Sequence, residues 1–159
     1  MRISILSVGK LKERFWRDAC AEYEKRLSGY CDLHMAEVAD ERTPERMSDT
    51  ERVRILETEG MRLLAAADPG APLWVLDVRG KRMDSEAFSD CIKSAGIRGD
   101  SHIQFVIGGS CGVAASVTDR AQMRISFSDM TFPHQLMRVI LLEQIYRGFR
   151  IMRGEPYHK

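Results

Sequence analysis

The sequence predicts an α/β protein: a mostly parallel five-stranded sheet with helices on both faces. Three observations lead there. Apolar, β-branched runs recur along the chain, each separated from the next by a segment whose apolar residues return at helical spacing. Most of these runs are apolar throughout rather than alternating, which is how a strand reads when both of its faces are buried. No linker, repeat or low-complexity stretch interrupts the β-α order, so the 159 residues, 44% of them hydrophobic, are expected to form one domain over 1–159.

Residues 2–8 are the first such run and end at Gly9. Leu11, Phe15, Ala19, Tyr23 and Leu27 then recur at i, i+4, with Trp16 and Cys20 widening the stripe and Gly29 placed to stop the helix. The opposite face carries Lys12, Arg14, Arg17, Lys25 and Arg26, a composition shared by solvated surface and by RNA contacts. Residues 31–38 alternate and read as a second, less buried strand, with His34 on the polar phase. A polar loop holding Pro44 follows. Val53, Leu56, Leu63, Leu64 and Ala67 mark a helix from about Asp49, which Asp68-Pro69-Gly70 terminates.

Residues 73–78 are a third, fully buried strand followed by the turn pair Arg79-Gly80. Asp84 is placed to cap the next helix, Met83 and Phe88 stand at the spacing of a hydrophobic staple, and Ala87, Cys91, Ile92 and Ala95 supply the inner face. Residues 102–107 and 123–127 are the fourth and fifth strands, with a short helix at 114–120 between them. The last helix, about 133–150, is apolar on more than one side through Leu136, Val139, Ile140, Leu141, Leu142, Ile145, Tyr146 and Phe149. A helix of that kind in so small a domain needs its own sheet and a second subunit as partners.

Composition excludes several classes. The net charge of +1 shows no overall attraction to nucleic acid or membrane, so RNA binding has to come from local patches. Cys20, Cys31, Cys91 and Cys111 form no C-x-x-C pair and have no His at ligand spacing, which argues against a metal and for reduced thiols in a cytoplasmic protein. The run at 1–8 is too short for a signal peptide, and no stretch approaches the ~20 apolar residues of a membrane span.

Two loops follow buried strands, 108–112 and 128–136, and in parallel sheets ligands bind beyond the carboxyl ends of the strands. The glycine loop lacks both the G-x-G-x-x-G order of a dinucleotide fold and the lysine of a P-loop. Its glycines suit either a backbone that approaches an adenine or ribose closely or a tight turn with no ligand. Asp129 and His134 are the ionisable side chains of the second loop, and no Ser/His/Asp or Cys/His set assembles around Cys111, which argues against covalent hydrolysis. What remains is a site made mainly of backbone. It suits a reaction whose reactivity resides in the cofactor, such as methyl transfer from a sulfonium.

Four stretches make a more specific pattern: Ile107-Gly108-Gly109-x-x-Gly112; Ser128-x-Met130-Thr131-x-Pro133-His134-Gln135-Leu136-x-Arg138; Leu142-Glu143-Gln144-x-Tyr146-Arg147; and Gly154-Glu155-Pro156-Tyr157-His158-Lys159. Over its full length the chain resembles the RlmH family, SPOUT-class methyltransferases that modify N3 of a pseudouridine in 23S ribosomal RNA. The resemblance implies a C-terminal trefoil knot, S-adenosyl-L-methionine bound in that knot, and a homodimer built on the last helix. It implies cofactor contacts at Leu76, Gly108, Phe127, Ser128, Asp129, Met130, Thr131 and Phe132.

On the substrate side, Arg138, Arg147, Arg150, Arg153 and Lys159 outnumber Glu143 and Glu155, giving a basic tail that can grip phosphates, with Tyr157 placed to stack on an unpaired base. His134 and His158 are candidates for taking the N3 proton and Arg153 for stabilising charge on the base carbonyls. Two rival readings remain: a ribosome-binding factor without catalysis, and an enzyme for a free nucleotide, which the basic tail disfavours. So small a chain, with no appended RNA-binding domain, is expected to recognise the assembled ribosome as a preformed surface.

Overall fold

The structure is a computed structural model and describes residues 1–157. Ten elements alternate along the described residues: β1 Arg2–Val8, α1 Arg14–Leu27, β2 Asp32–Val38, α2 Asp49–Ala66, β3 Leu73–Arg82, α3 Ser85–Ile97, β4 His102–Ile107, α4 Ala115–Arg120, β5 Met123–Ser126 and α5 His134–Met152. The strands form one sheet in the order β2-β1-β4-β3-β5, with every pairing parallel. The predicted α/β class is the observed one.

Period-2 alternation sends the side chains of each central strand to two different cores. Ile3 and Ile5 of β1, Trp74 of β3 and Ile103, Phe105 and Ile107 of β4 meet Leu27, Phe88, Ile92, Leu141 and Ile145 on the face covered by α1, α3 and α5. Leu6 and Val8, Leu73 and Val75, and Val106 meet Leu63, Ala114 and Val117 on the face covered by α2 and α4. Burial on both sides is the physical reason these strands read as unbroken apolar runs.

Local signals explain the starts of α2 and α3. Ser48 accepts from the Glu51 amide while Glu51 reaches back to the Ser48 amide, a complete capping box, and Asp84 accepts from the Ala87 amide as expected. The last helix begins at His134 with Pro133 as its cap and runs to Met152, two residues past the expected end. Three apolar positions assigned to inner faces point outward: Phe15 is 60% exposed, Val53 57%, and Ala87 is exposed as well.

The expected end of the third strand at Arg79-Gly80 is also corrected. Leu76 and Lys81 both pair with Ile125, so residues 77–80 bulge out of β3 before it resumes and runs on to Arg82. Gly80 is required there by space: a Cβ on it would lie 2.6 Å from the backbone of Arg124 and Ile125.

Candidate functional site

The bulge in β3, the glycine turn after β4 and the loop after β5 converge at the carboxyl edge of the sheet. They enclose a cleft of about 770 Å³, within the ~300–1,000 Å³ range of small-molecule sites. The glycine turn closes on itself, the Gly112 amide donating to the Gly109 carbonyl at 3.0 Å. A Cβ on Gly108 would run into the Gly112 carbonyl oxygen and lie 2.6 Å from Val113 Cγ2. The turn therefore presents main chain at the point where β4 ends.

Of the residues expected to touch a cofactor, Leu76, Gly108, Phe127, Ser128, Met130, Thr131 and Phe132 line the cleft. Asp129 does not; it forms an ion pair with Arg82. Phe127 roots the third loop in the core, with its ring edge-on to Phe88 at 5.8 Å. Ser128 shapes that loop by accepting from the Met130 amide on its side chain, 3.0 Å, and from Ser126 Oγ on its carbonyl, 2.9 Å.

The cleft also has walls that the motif reading missed. Asp77, Val78 and Arg79 enter from the β3 bulge and Arg52 and Leu56 from α2. Asp77 accepts from Arg124 Nη2 at 2.5 Å and from the Arg79 amide at 3.0 Å. Burial opposes ionisation of Asp77, but the Arg79 amide and the Arg124 guanidinium hold its carboxyl below the usual carboxylate range. Arg52 and Leu56 lie one helical turn apart, a signal legible in the sequence but shared with ordinary core packing.

His134 lies on the cleft wall at the start of α5. Burial, reinforced by the Arg138 charge, lowers its pKa from the ordinary 6.5, against smaller opposing effects of Asp40 and Glu13. The imidazole is therefore neutral near pH 7, the form a proton acceptor needs.

Arg153 and Tyr157 stand elsewhere. Arg153 caps the far end of α5, donating to the Gly29 carbonyl at 3.1 Å with its guanidinium 4.2 Å from the Tyr30 ring. Tyr157 packs edge-on against Tyr146 at 5.0 Å, under Arg147. At about 1.5 Å per residue, 19 helical positions put Arg153 roughly 28 Å from His134. One chain does not bring His134 together with Arg153 or Tyr157. His158 and Lys159 lie outside the described residues.

The basic tail is correspondingly corrected. Arg147 pairs with Glu143 at 2.6 Å and Arg150 with Glu155 at 2.8 Å. Arg138 is 0% exposed and bound to Glu37, so it offers nothing to a phosphate. Glu143 and Glu155 lie in the tail itself, but counting charges along it could not show that Arg138 is buried against Glu37 of β2. Among the described residues no cluster of three or more His, Cys, Asp or Glu is placed to hold a metal, and no helix is long and apolar enough to cross a membrane. All four cysteines are free thiols, and burial raises those of Cys20 and Cys31 to about 11.

Parallel strands with a cleft beyond their carboxyl ends define an α/β protein with its cavity at the edge where such folds bind small ligands. Residues 1–158 match the family described as predicted SPOUT methyltransferase. Full-length relatives named ribosomal RNA large subunit methyltransferase H, from Clostridium kluyveri at 51% identity and Enterococcus faecalis at 49%, align over 159 residues and cover 100% of both chains. The chain belongs to the SPOUT methyltransferases and, within them, to the RlmH family. Its fold is also similar to that of a probable methylase family protein from Haemophilus influenzae, with TM-score 0.55 and 8% identity over 99% of this chain and 70% of that one.

Proposed function

We propose that this chain is an S-adenosyl-L-methionine-dependent methyltransferase that methylates N3 of a pseudouridine in 23S ribosomal RNA, on the assembled ribosome in the cytoplasm. The carrying observation is the cleft itself, whose wall at the end of β4 is main chain that no side chain can replace. That construction fits a nucleoside cofactor, which backbone N–H and C=O groups can grip at the adenine and ribose. Leu76, Gly108 and the residues of the third loop other than Asp129 would hold it, with Asp129 acting on that loop through Arg82. A sulfonium donor supplies an electrophilic methyl carbon at this edge.

The chain's own residues then have to place N3 and remove its proton. A protonated ring nitrogen is a poor nucleophile, and the neutral His134 imidazole on the cleft wall is the acceptor for that proton. Excluding water from a cleft walled by Phe127, Phe132 and Met137 strengthens every polar interaction within it. The trefoil knot expected from the family belongs to the same reading, as the way the chain after β5 is held against the glycine turn.

The separation of Arg153 and Tyr157 from the cleft supports a homodimer in which one subunit's tail completes its partner's site. Leu136, Ile140 and Ile151 of α5 are half-exposed, which leaves apolar surface on that helix for a second copy. The prediction is complementation: His134→Ala and Arg153→Ala are each inactive as homodimers, while unfolding and refolding them together restores about a quarter of the sites, because random pairing leaves one intact site in each mixed dimer. No recovery on mixing would place both groups in one subunit's site or remove one of them from it.

The direct test is transfer of labelled methyl from S-adenosylmethionine to intact ribosomes and, separately, to protein-free 23S RNA lacking the modification. Label on ribosomes alone, mapped to one pseudouridine, is the expected result. Ribosome binding with no label on either substrate would replace the enzyme by a docking factor.

A further inference from the structure

Behind the glycine turn, outside the cleft wall, lies a carboxyl group that the reaction above does not use. Glu59 of α2 is 4% exposed. Its Oε1 accepts from the Glu41 amide at 2.9 Å, tying it to the loop after β2. Its Oε2 is buried and without a hydrogen-bond partner, and it sits against Gly109, where an added Cβ would lie 2.7 Å from that oxygen. A buried, half-satisfied carboxyl costs stability, so its presence against the glycine turn calls for a role that offsets the cost.

We propose that Glu59 is a positioning residue of the methyl-donor cleft: its carboxyl braces the 108–112 turn against the loop after β2 and, by accepting an amide of that turn when the cleft is filled, sets how tightly the donor is held. The inference rests on the reading of the cleft as a donor site. Glu59 touches the turn and neither the donor nor the base.

The surroundings give this brace a pH signature. Burial raises the Glu59 pKa, the Glu41 amide opposes it, the Asp40 and Glu41 charges add to the rise, and Arg62 counters them. Arg62 is itself engaged with Glu41 at 2.6 Å and the Ala39 carbonyl at 2.9 Å. From β1 and the turn the carboxyl meets the uncharged Val8 and Gly109. The free protein therefore holds the Glu59 proton to a higher pH than an exposed glutamate would. An amide donated to Oε2 in the filled cleft favours the carboxylate and releases that proton. Donor affinity then rises as pH increases through the free-state value.

The test is calorimetric binding of S-adenosylmethionine and S-adenosylhomocysteine to the full chain across about pH 5 to about pH 9. The wild type is expected to bind more tightly with rising pH, Glu59→Gln to bind within about twofold of it at the acid end with that dependence removed, and Glu59→Ala to bind about tenfold more weakly. A wild-type pH dependence in Glu59→Gln, or wild-type affinity in Glu59→Ala, overturns the proposal while leaving the donor site standing. Should Glu59→Ala fail to fold, the pH profile of Glu59→Gln decides alone. A wild type that binds neither nucleoside removes the donor reading and this inference together.

Discussion

Gly108→Ala is expected to weaken S-adenosylmethionine binding at least about 100-fold, a loss of about 2.7 kcal/mol, and to take methyl transfer with it. The reason is space. The new methyl group would overlap the Gly112 carbonyl oxygen and stand 2.6 Å from Val113 Cγ2 and 2.7 Å from the Gly112 carbonyl carbon. Two of those atoms are backbone of the same turn, so relief requires the turn to open. Opening it breaks the 3.0 Å bond from the Gly112 amide to the Gly109 carbonyl and removes the wall proposed to face the donor. The sheet below should survive, because β4 ends at Ile107 and its pairing with β1 and β3 stops there. Circular dichroism close to wild type together with lost calorimetric binding is the expected pair of results. Wild-type affinity in this variant would mean that the turn is not part of the donor site.

Why this cleft was partly legible in the sequence follows from the same residues. A glycine that ends an apolar run announces close main-chain approach at 108–112, and the polar, proline-bearing stretch after the fifth apolar run announces the loop at 128–136. The third wall carried none. Arg79-Gly80 reads as a turn, whereas Gly80 is needed because β3, resuming after its bulge, lies so close to β5 that a Cβ there would stand 2.6 Å from the β5 backbone. That is a contact between segments distant in sequence, and no local pattern encodes it. Phe15 was misplaced for a related reason: the i, i+4 stripe continues into the first turn of α1, and only the assembled fold shows that this turn is left uncovered. Arg138 was the least legible of the tail arginines, since Glu37, which neutralises it, lies 101 residues away.

Arg138→Ala is accordingly expected to damage the fold first and the chemistry second. The guanidinium is fully buried, donating to Glu37 Oε1 at 2.5 Å, to the Val8 carbonyl at 3.1 Å and to the Gly9 carbonyl at 2.5 Å. It joins α5 to the carboxyl ends of β1 and β2. Removing the guanidinium leaves the Val8 and Gly9 carbonyls without that donor and Glu37 with the Leu11 amide but no cation, at about 3 kcal/mol once the partial exposure of Glu37 is discounted. For a chain of this size that is a melting temperature lower by about 6–12 °C. Arg138→Lys keeps the charge but loses the fork that reaches two carbonyls and a carboxylate together, so its cost should be smaller without vanishing. Thermal melts that match wild type for Arg138→Ala would refute the buried clamp. The second consequence concerns His134. The Arg138 charge disfavours the imidazolium, so losing it lets His134 protonate at higher pH, helped by Asp40 and Glu13. In whatever fraction of Arg138→Ala remains folded, the acid limb of the activity profile should move upward in pH, whereas Arg138→Lys should leave it near the wild-type position. A residue that looked like part of an RNA grip would thus reach the reaction through the protonation state of its neighbour.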